Sequence, residues 1–322
     1  MLACFDSLNC FCKSSLIRLK NAKESFCKRL FKGLFSKANG FEVIRLGTAG
    51  WKYEDWVGSF YPSNKHQFTY FSKIFDTAEI NSTFYTFPSQ KVVEIWSRAP
   101  KEFIFTAKVP QEITHKLRLD VEKGADKRMK DYLQLMTPLL EANRIGPLLI
   151  QLPPSFEFNH IDNLEAFLQT LPQEWEYAVE FRHLSWMQDD TFKLLRKLQV
   201  AYCIVDEPLL PPRIEVTAPF AYIRWHGHGK KLWYYYLYNK GELEKWVPRV
   251  QDAAKRAPKA VYGYFNNHWH GFAARNCVEM MELLNISHRM PRHVRDRVNR
   301  VTDERIKQKP SQQTSLANFS TK

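Results

Sequence analysis

The 322-residue sequence contains no run of eighteen apolar residues, so no transmembrane helix is expected. It contains no CxxC pair. Four of its six cysteines (Cys4, Cys10, Cys12 and Cys27) fall before residue 41, and only Cys203 and Cys277 remain in the body. These spacings fit no zinc pattern, and a lone Cys in an apolar strand with another in a helix read as buried thiols in a reducing, cytoplasmic compartment. No GxGxxG follows any β-rich run, so no dinucleotide cofactor is expected. The body also lacks net charge. Of the formal +13, residues 1–40 carry +6 and residues 286–322 another +6, leaving +1 for residues 41–285. The basicity belongs to the ends and says little about a central site.

The chain reads as three parts: a basic N-terminal extension (1–40), a body (41–285) and a basic C-terminal tail (286–322), predicted to be disordered beyond a short helix. Residues 14–35 have an amphipathic pattern, with Leu16, Leu19, Phe26, Leu30 and Leu34 near one face. Such a basic helix suits an anionic membrane surface, a partner protein or organellar targeting, and a solvated extension without a role is the plain alternative.

In the body, eight β-rich runs recur at Glu42–Leu46, Asp76–Asn81, Phe103–Lys108, Pro147–Leu152, Tyr177–Arg182, Ala201–Asp206, Ala221–His226 and Val261–Asn266. Helix-compatible segments separate most of them, near 65–74, 89–98, 127–143, 162–170, 188–198, 241–256 and 271–284. Alternating strand and helix implies a parallel sheet, and eight units close most economically into a (β/α)8 TIM-barrel-like α/β fold. The Pro-rich link at 209–219 is too short for a full helix, so one crossover helix is expected to be short or missing.

A barrel of this kind gathers its site at the C-terminal strand ends. Polar residues cluster there: Glu79 and Asn81, Lys108 with His115 in the following loop, Gln151, Glu180 with Arg182 and His183, Asp206, Arg224 with His226, and Asn266 with Asn267. Two-residue spacing turns both members of Glu79/Asn81, Glu180/Arg182 and Arg224/His226 to one face. A core built only for stability would place Val, Ile and Leu there, although any single pair could merely satisfy itself.

The segments GTAGW (Gly47 to Trp51), FYP, EINSTFY, PQEITH, LLIQLPPSF, YAVEFRHLSW, YIRWHG and YFNN, in this order over residues 44–285, resemble the YecE-like family, domain of unknown function 72. The resemblance implies a TIM barrel and supplies no reaction. Ala49 stands where that family usually has Ser, which takes away a hydroxyl, and His268 follows the Asn pair where Asp is frequent.

Residue types allow three chemistries. Glu79 and Glu180, with His226, suit acid/base work or a glycosidase-like carboxylate pair. Glu79, Glu180, Asp206, His183, His226 and His268 include donor types for a divalent metal. Lys108, Arg118, Arg182 and Arg224 with Asn266 and Asn267 suit a phosphate, and aromatics such as Trp51 and Tyr85 suit a base or sugar. The leading expectation is an enzyme with Glu79, Glu180 and His226 as catalytic groups, acting hydrolytically on a phosphorylated or nucleotide-containing ligand. The rivals are a nucleic-acid-binding protein that uses its basic ends, and a carbohydrate hydrolase.

Overall fold

The computed structural model describes residues 43–307. The helix expected at 14–35 and the end of the tail, 308–322, lie outside the described residues. Eight parallel strands close into a barrel in sequence order: β1 Ile44–Ala49, β2 Thr77–Ile80, β3 Ile104–Lys108, β4 Ile145–Gln151, β5 Tyr177–Glu180, β6 Ala201–Asp206, β7 Phe220–Trp225 and β8 Ala260–Phe265, with β8 pairing back onto β1. The helices are α1 Gln67–Phe71, α2 Ser82–Tyr85, α3 Gln90–Ser97, α4 Ala125–Glu141, α5 Ile161–Gln169, α6 Asp189–Lys197, α7 Lys240–Arg256, α8 Phe272–Leu283 and α9 Arg292–Lys307. No helix connects β6 to β7, as the Pro-rich link predicts; proline's fixed φ and missing N–H hold that crossover extended. Among the described residues, no helix is long and apolar enough to cross a membrane.

Period-two alternation sorts each strand into two packing surfaces. Ile80, Phe181, Ile223 and Trp225 join the apolar layer under the helices. Leu149, Ala178, Cys203, Val205, Tyr222 and Tyr264 meet inside the barrel. The interior is unusually hydroxylated. Thr77 Oγ1 lies 2.7 Å from Tyr264 OH, and Thr106 Oγ1 lies 2.9 Å from Tyr222 OH. A buried phenol needs such a partner to offset its lost hydration.

Several strand ends shift by one or two residues from expectation, and two differences are larger. Strand β1 runs to Ala49, three residues beyond its expected end, because Gly47 lets the backbones of β1 and β2 approach: a Cβ there would lie 2.3 Å from Thr77 O. Residues 292–307 of the tail are also more ordered than expected. Helix α9 buries Val294, Val298 and Thr302, and Arg297 donates to the carbonyls of Ser59 and Phe60 at 2.8 and 3.0 Å. Its apolar stripe, not its charge, decides the outcome.

Candidate functional site

The barrel's upper interior is charged. Arg224, near the end of β7, donates from Nη2 to Glu79 Oε1 at 2.8 Å and from Nη1 to Glu180 Oε2 at 2.6 Å, and none of the three side chains reaches solvent. Tyr222, two residues earlier on β7, donates to the second Glu79 oxygen at 2.8 Å. Arg182 Nη2 pairs with Glu180 Oε1, while Arg182 Nη1 donates to Glu207 Oε2 at 2.6 Å. The result is an alternating chain, Glu79–Arg224–Glu180–Arg182–Glu207. A buried ion is tolerated only with such pairing, because its desolvation costs several kcal/mol.

Protonation follows from this arrangement. Burial alone would raise the Glu180 carboxyl, but Arg182 and Arg224 override it and hold Glu180 well below the usual carboxylate range. Burial pushes the Glu207 carboxyl up, against the pull of Arg182. His226 lies 3.4 Å from Glu180 Oε1, with its Nδ1 2.9 Å from Asn266 Nδ2. Burial and Arg182 lower its pKa to about 3, so the imidazole is neutral.

Lys108, the last residue of β3, differs from both arginines. Its ammonium donates to the neutral Gln151 Oε1 at 2.7 Å and sits 5.3 Å from the Phe84 ring centroid. No carboxylate among the described residues pairs with it. Burial, then Arg224, lower its pKa from 10.5 to about 7, although Glu79 and Glu180 oppose them. His115 lies edge-on to the same Phe84 ring at 5.0 Å. Burial, Lys108, Arg182 and Arg118 bring its pKa to about 4. Arg118 donates to Ser155 Oγ and its carbonyl, both at 2.9 Å, and lies 2.8 Å from His160 Nε2, with no carboxylate bonded to it among the described residues. Lys108 and Arg118 thus flank a neutral imidazole, with no carboxylate bonded to either among the described residues.

Glu79, Glu180, Arg182, Arg224, His226 and Asn266 come together as the sequence predicts. Lys108, Gln151 and His115 flank them. Asn81 opens the α2 turn, and Tyr85, at its end, is 55% exposed and packs edge-on against Phe84.

Three expected site residues lie elsewhere, and a fourth, His183, is engaged locally. Asp206 faces the helices, because Cys203 and Val205 already take the interior parity; it accepts from Trp246 Nε1 at 3.2 Å and lies 3.1 Å from His228 Nε2. Asn267 is buried, bonded to the Tyr236 carbonyl and Asn276 Oδ1, each at 2.8 Å. Trp51 packs on Phe68 and Phe105 in the helix-side core. His183 caps the Leu184–Trp186 turn through Ser185.

Two features went unpredicted. Glu207 shares the parity of Cys203 and Val205, a signal present in the sequence but obscured by the neighbouring Asp206. A ring column also forms, with His268 stacked between Tyr53 (4.7 Å, 6°) and Tyr234 (5.0 Å, 16°). It joins loops more than 150 residues apart in sequence. Among the described residues, no group of three or more His, Cys, Asp or Glu side chains is placed to hold a metal ion. Two surface hollows, of about 540 and 550 Å³, lie against α4 and among α7, α8 and α9, away from the strand ends.

A family model described as "Protein of unknown function DUF72" matches residues 45–299. The chain is 27% identical over 277 residues to the UPF0759 protein YunF of Bacillus subtilis, covering 76% of this chain and 96% of that protein. It is 32% identical over 142 residues to the UPF0759 protein YecE of Escherichia coli, covering 44% and 49% respectively. A crystal structure of a DUF72 family protein from Thermotoga maritima superposes with a TM-score of 0.69 at 33% identity, covering 76% of this chain and 99% of that one.

Proposed function

The chain belongs to the DUF72 family, and because that name assigns no reaction we propose a function from the site: an enzyme acting on a small phosphorylated or nucleotide-containing ligand. The ligand's anionic group sits against Lys108 and Arg118, and Lys108 is the group that exchanges a proton. The observation that carries this reading is the charge distribution. Arg182 and Arg224 are spent on glutamates, whereas Lys108 and Arg118 bond to no carboxylate among the described residues. Such surplus charge in a partly desolvated mouth favours an anion, and a charge-assisted bond contributes about 1.5–3 kcal/mol.

The chemistry moves away from the two glutamates. Hydrolysis or phosphodiester processing through a carboxylate pair, and glycoside hydrolysis, both need a carboxyl free to meet the substrate. Glu79 and Glu180 are instead enclosed around one guanidinium. Their role in this account is to fix Arg224 and, through Glu180, Arg182. His226 is likewise enclosed, with Asn266 on one nitrogen and two arginines about the other. Lys108 remains, with a pKa of about 7 that allows proton transfer in either direction at neutral pH.

Calorimetric titration of the full chain with inorganic phosphate and with AMP tests this function. We expect saturable binding that weakens roughly tenfold or more in K108M, the equivalent of about 1.4 kcal/mol or more. Absence of binding of either anion to the wild-type protein overturns it.

A further inference from the structure

We propose that Lys108 is an amine nucleophile, and that the site's substrates carry an aldehyde or ketone together with the anionic group, so that Lys108 forms an imine with them. This deepens the functional reading above and rests on it, since the anion contact brings the carbonyl to the amine.

The geometry supports a nucleophile in three ways. Lys108 ends β3, at the barrel face where strand ends meet substrate. Its backbone is held rigidly: the Lys108 carbonyl accepts from Thr83 Oγ1 at 2.7 Å and from Tyr132 OH at 3.1 Å. Its Nζ rests on the neutral Gln151 and the Phe84 ring, with no carboxylate bonded to it among the described residues. A lysine needs these surroundings to expose a lone pair at neutral pH: desolvation plus neighbouring cations. The charged or titratable groups acting on it come from four sides, with Arg224 from β7, Arg182 and Glu180 from β5 and its loop, Glu79 from β2, and His115 from the β3 loop.

The step balances without a further reagent. The Nζ lone pair attacks the carbonyl carbon, the C=O π pair moves to oxygen, and a proton passes from nitrogen to that oxygen, giving a carbinolamine. The nitrogen pair then forms C=N as the hydroxyl takes a proton from solvent, equal in number to the one the Lys108 ammonium gave up on becoming a free amine, and leaves as water. The protonated imine is an electron sink, so bonds next to the former carbonyl carbon can be made or broken. That class of reaction does not require the buried glutamates.

Equimolar pyridoxal 5′-phosphate, a phosphorylated aldehyde used here as a reagent, is added to the full chain, reduced with sodium borohydride, and located by peptide mass mapping; pyridoxal serves as the phosphate-free comparison. The expected result is one dominant reduced adduct on Lys108, at least tenfold above any exposed lysine such as Lys101 or Lys65. Inorganic phosphate should suppress it, pyridoxal should give less of it, and K108R should abolish it. Labelling spread over surface lysines, or absent from Lys108, overturns the proposal. If phosphate still binds in that case, only the nucleophile assignment fails; if phosphate does not bind to the wild-type protein, the functional reading fails with it.

Discussion

Arg224 and Glu180 are joined at 2.6 Å, 44 residues apart in sequence, with neither side chain exposed. The same guanidinium holds Glu79 with its other terminal nitrogen, 145 residues away. The barrel's charged layer is therefore a tie between β2, β5 and β7, and its first-order effect is on architecture.

Removing one member strands the others. E180A leaves Arg224 and Arg182 each short of a buried partner, so we expect a loss of about 3–5 kcal/mol of stability, measured by urea unfolding. E180Q keeps the shape and part of the hydrogen bonding and should lose less. If E180A unfolds at the wild-type urea concentration, the layer does not stabilise the barrel.

Y222F deletes the donor to Glu79 Oε2 while keeping the ring. An acceptor buried without its partner costs about 1–3 kcal/mol. Urea unfolding of Y222F should fall in that range, and of Y264F by less, because Tyr264 bonds Thr77 and not a carboxylate.

Two of the lowered pKa values contribute to the pH dependence of stability as follows from their direction. His226 takes its proton near 3 when folded, against an ordinary value of 6.5, so the unfolded chain binds the extra proton between those limits. Its contribution is present above pH 6.5 and is lost as pH falls toward 3. Lys108 behaves likewise between about 7 and 10.5: the unfolded chain alone keeps the proton there, so stability gains from this group as pH rises. The difference in unfolding free energy between wild type and K108M should change by up to about 1.4 kcal/mol per pH unit in that window. A flat difference from pH 7 to 10 contradicts a lowered lysine.

Asp206 separates parity from proximity. Because it anchors Trp246 and His228 on the helix side, D206N should leave phosphate affinity within about twofold while lowering stability by about 1 kcal/mol. A large loss of affinity in D206N would return Asp206 to the site.

Much of this architecture is legible in the sequence. Alternation of β-rich runs with helical segments gives the closed barrel, and the Pro-rich link gives the missing crossover helix. Same-face pairs mark the charged layer. What sequence does not carry is the partner across the barrel. Whether Arg224 meets Glu79, Glu180 or both depends on strand stagger, which sums small register choices around eight strands. Parity also decides against Asp206 and for Glu207, although both follow the same apolar strand. Trp51 is displaced for a related reason: β1 runs on through Gly47 to Ala49, beyond the end that the apolar run suggested, and the ring that follows packs under the helices. The lowered Lys108 pKa comes from burial first and then from Arg224 and Arg182, none of which spacing reveals.

The central claim is that Lys108 is a desolvated amine facing an anion site. Direct NMR titration of its side-chain Nζ, assigned by comparison with K108R, tests it most closely. The account predicts an apparent pKa near 7, raised by inorganic phosphate as the anion favours the charged form. An ordinary value near 10.5, unmoved by phosphate, would contradict it.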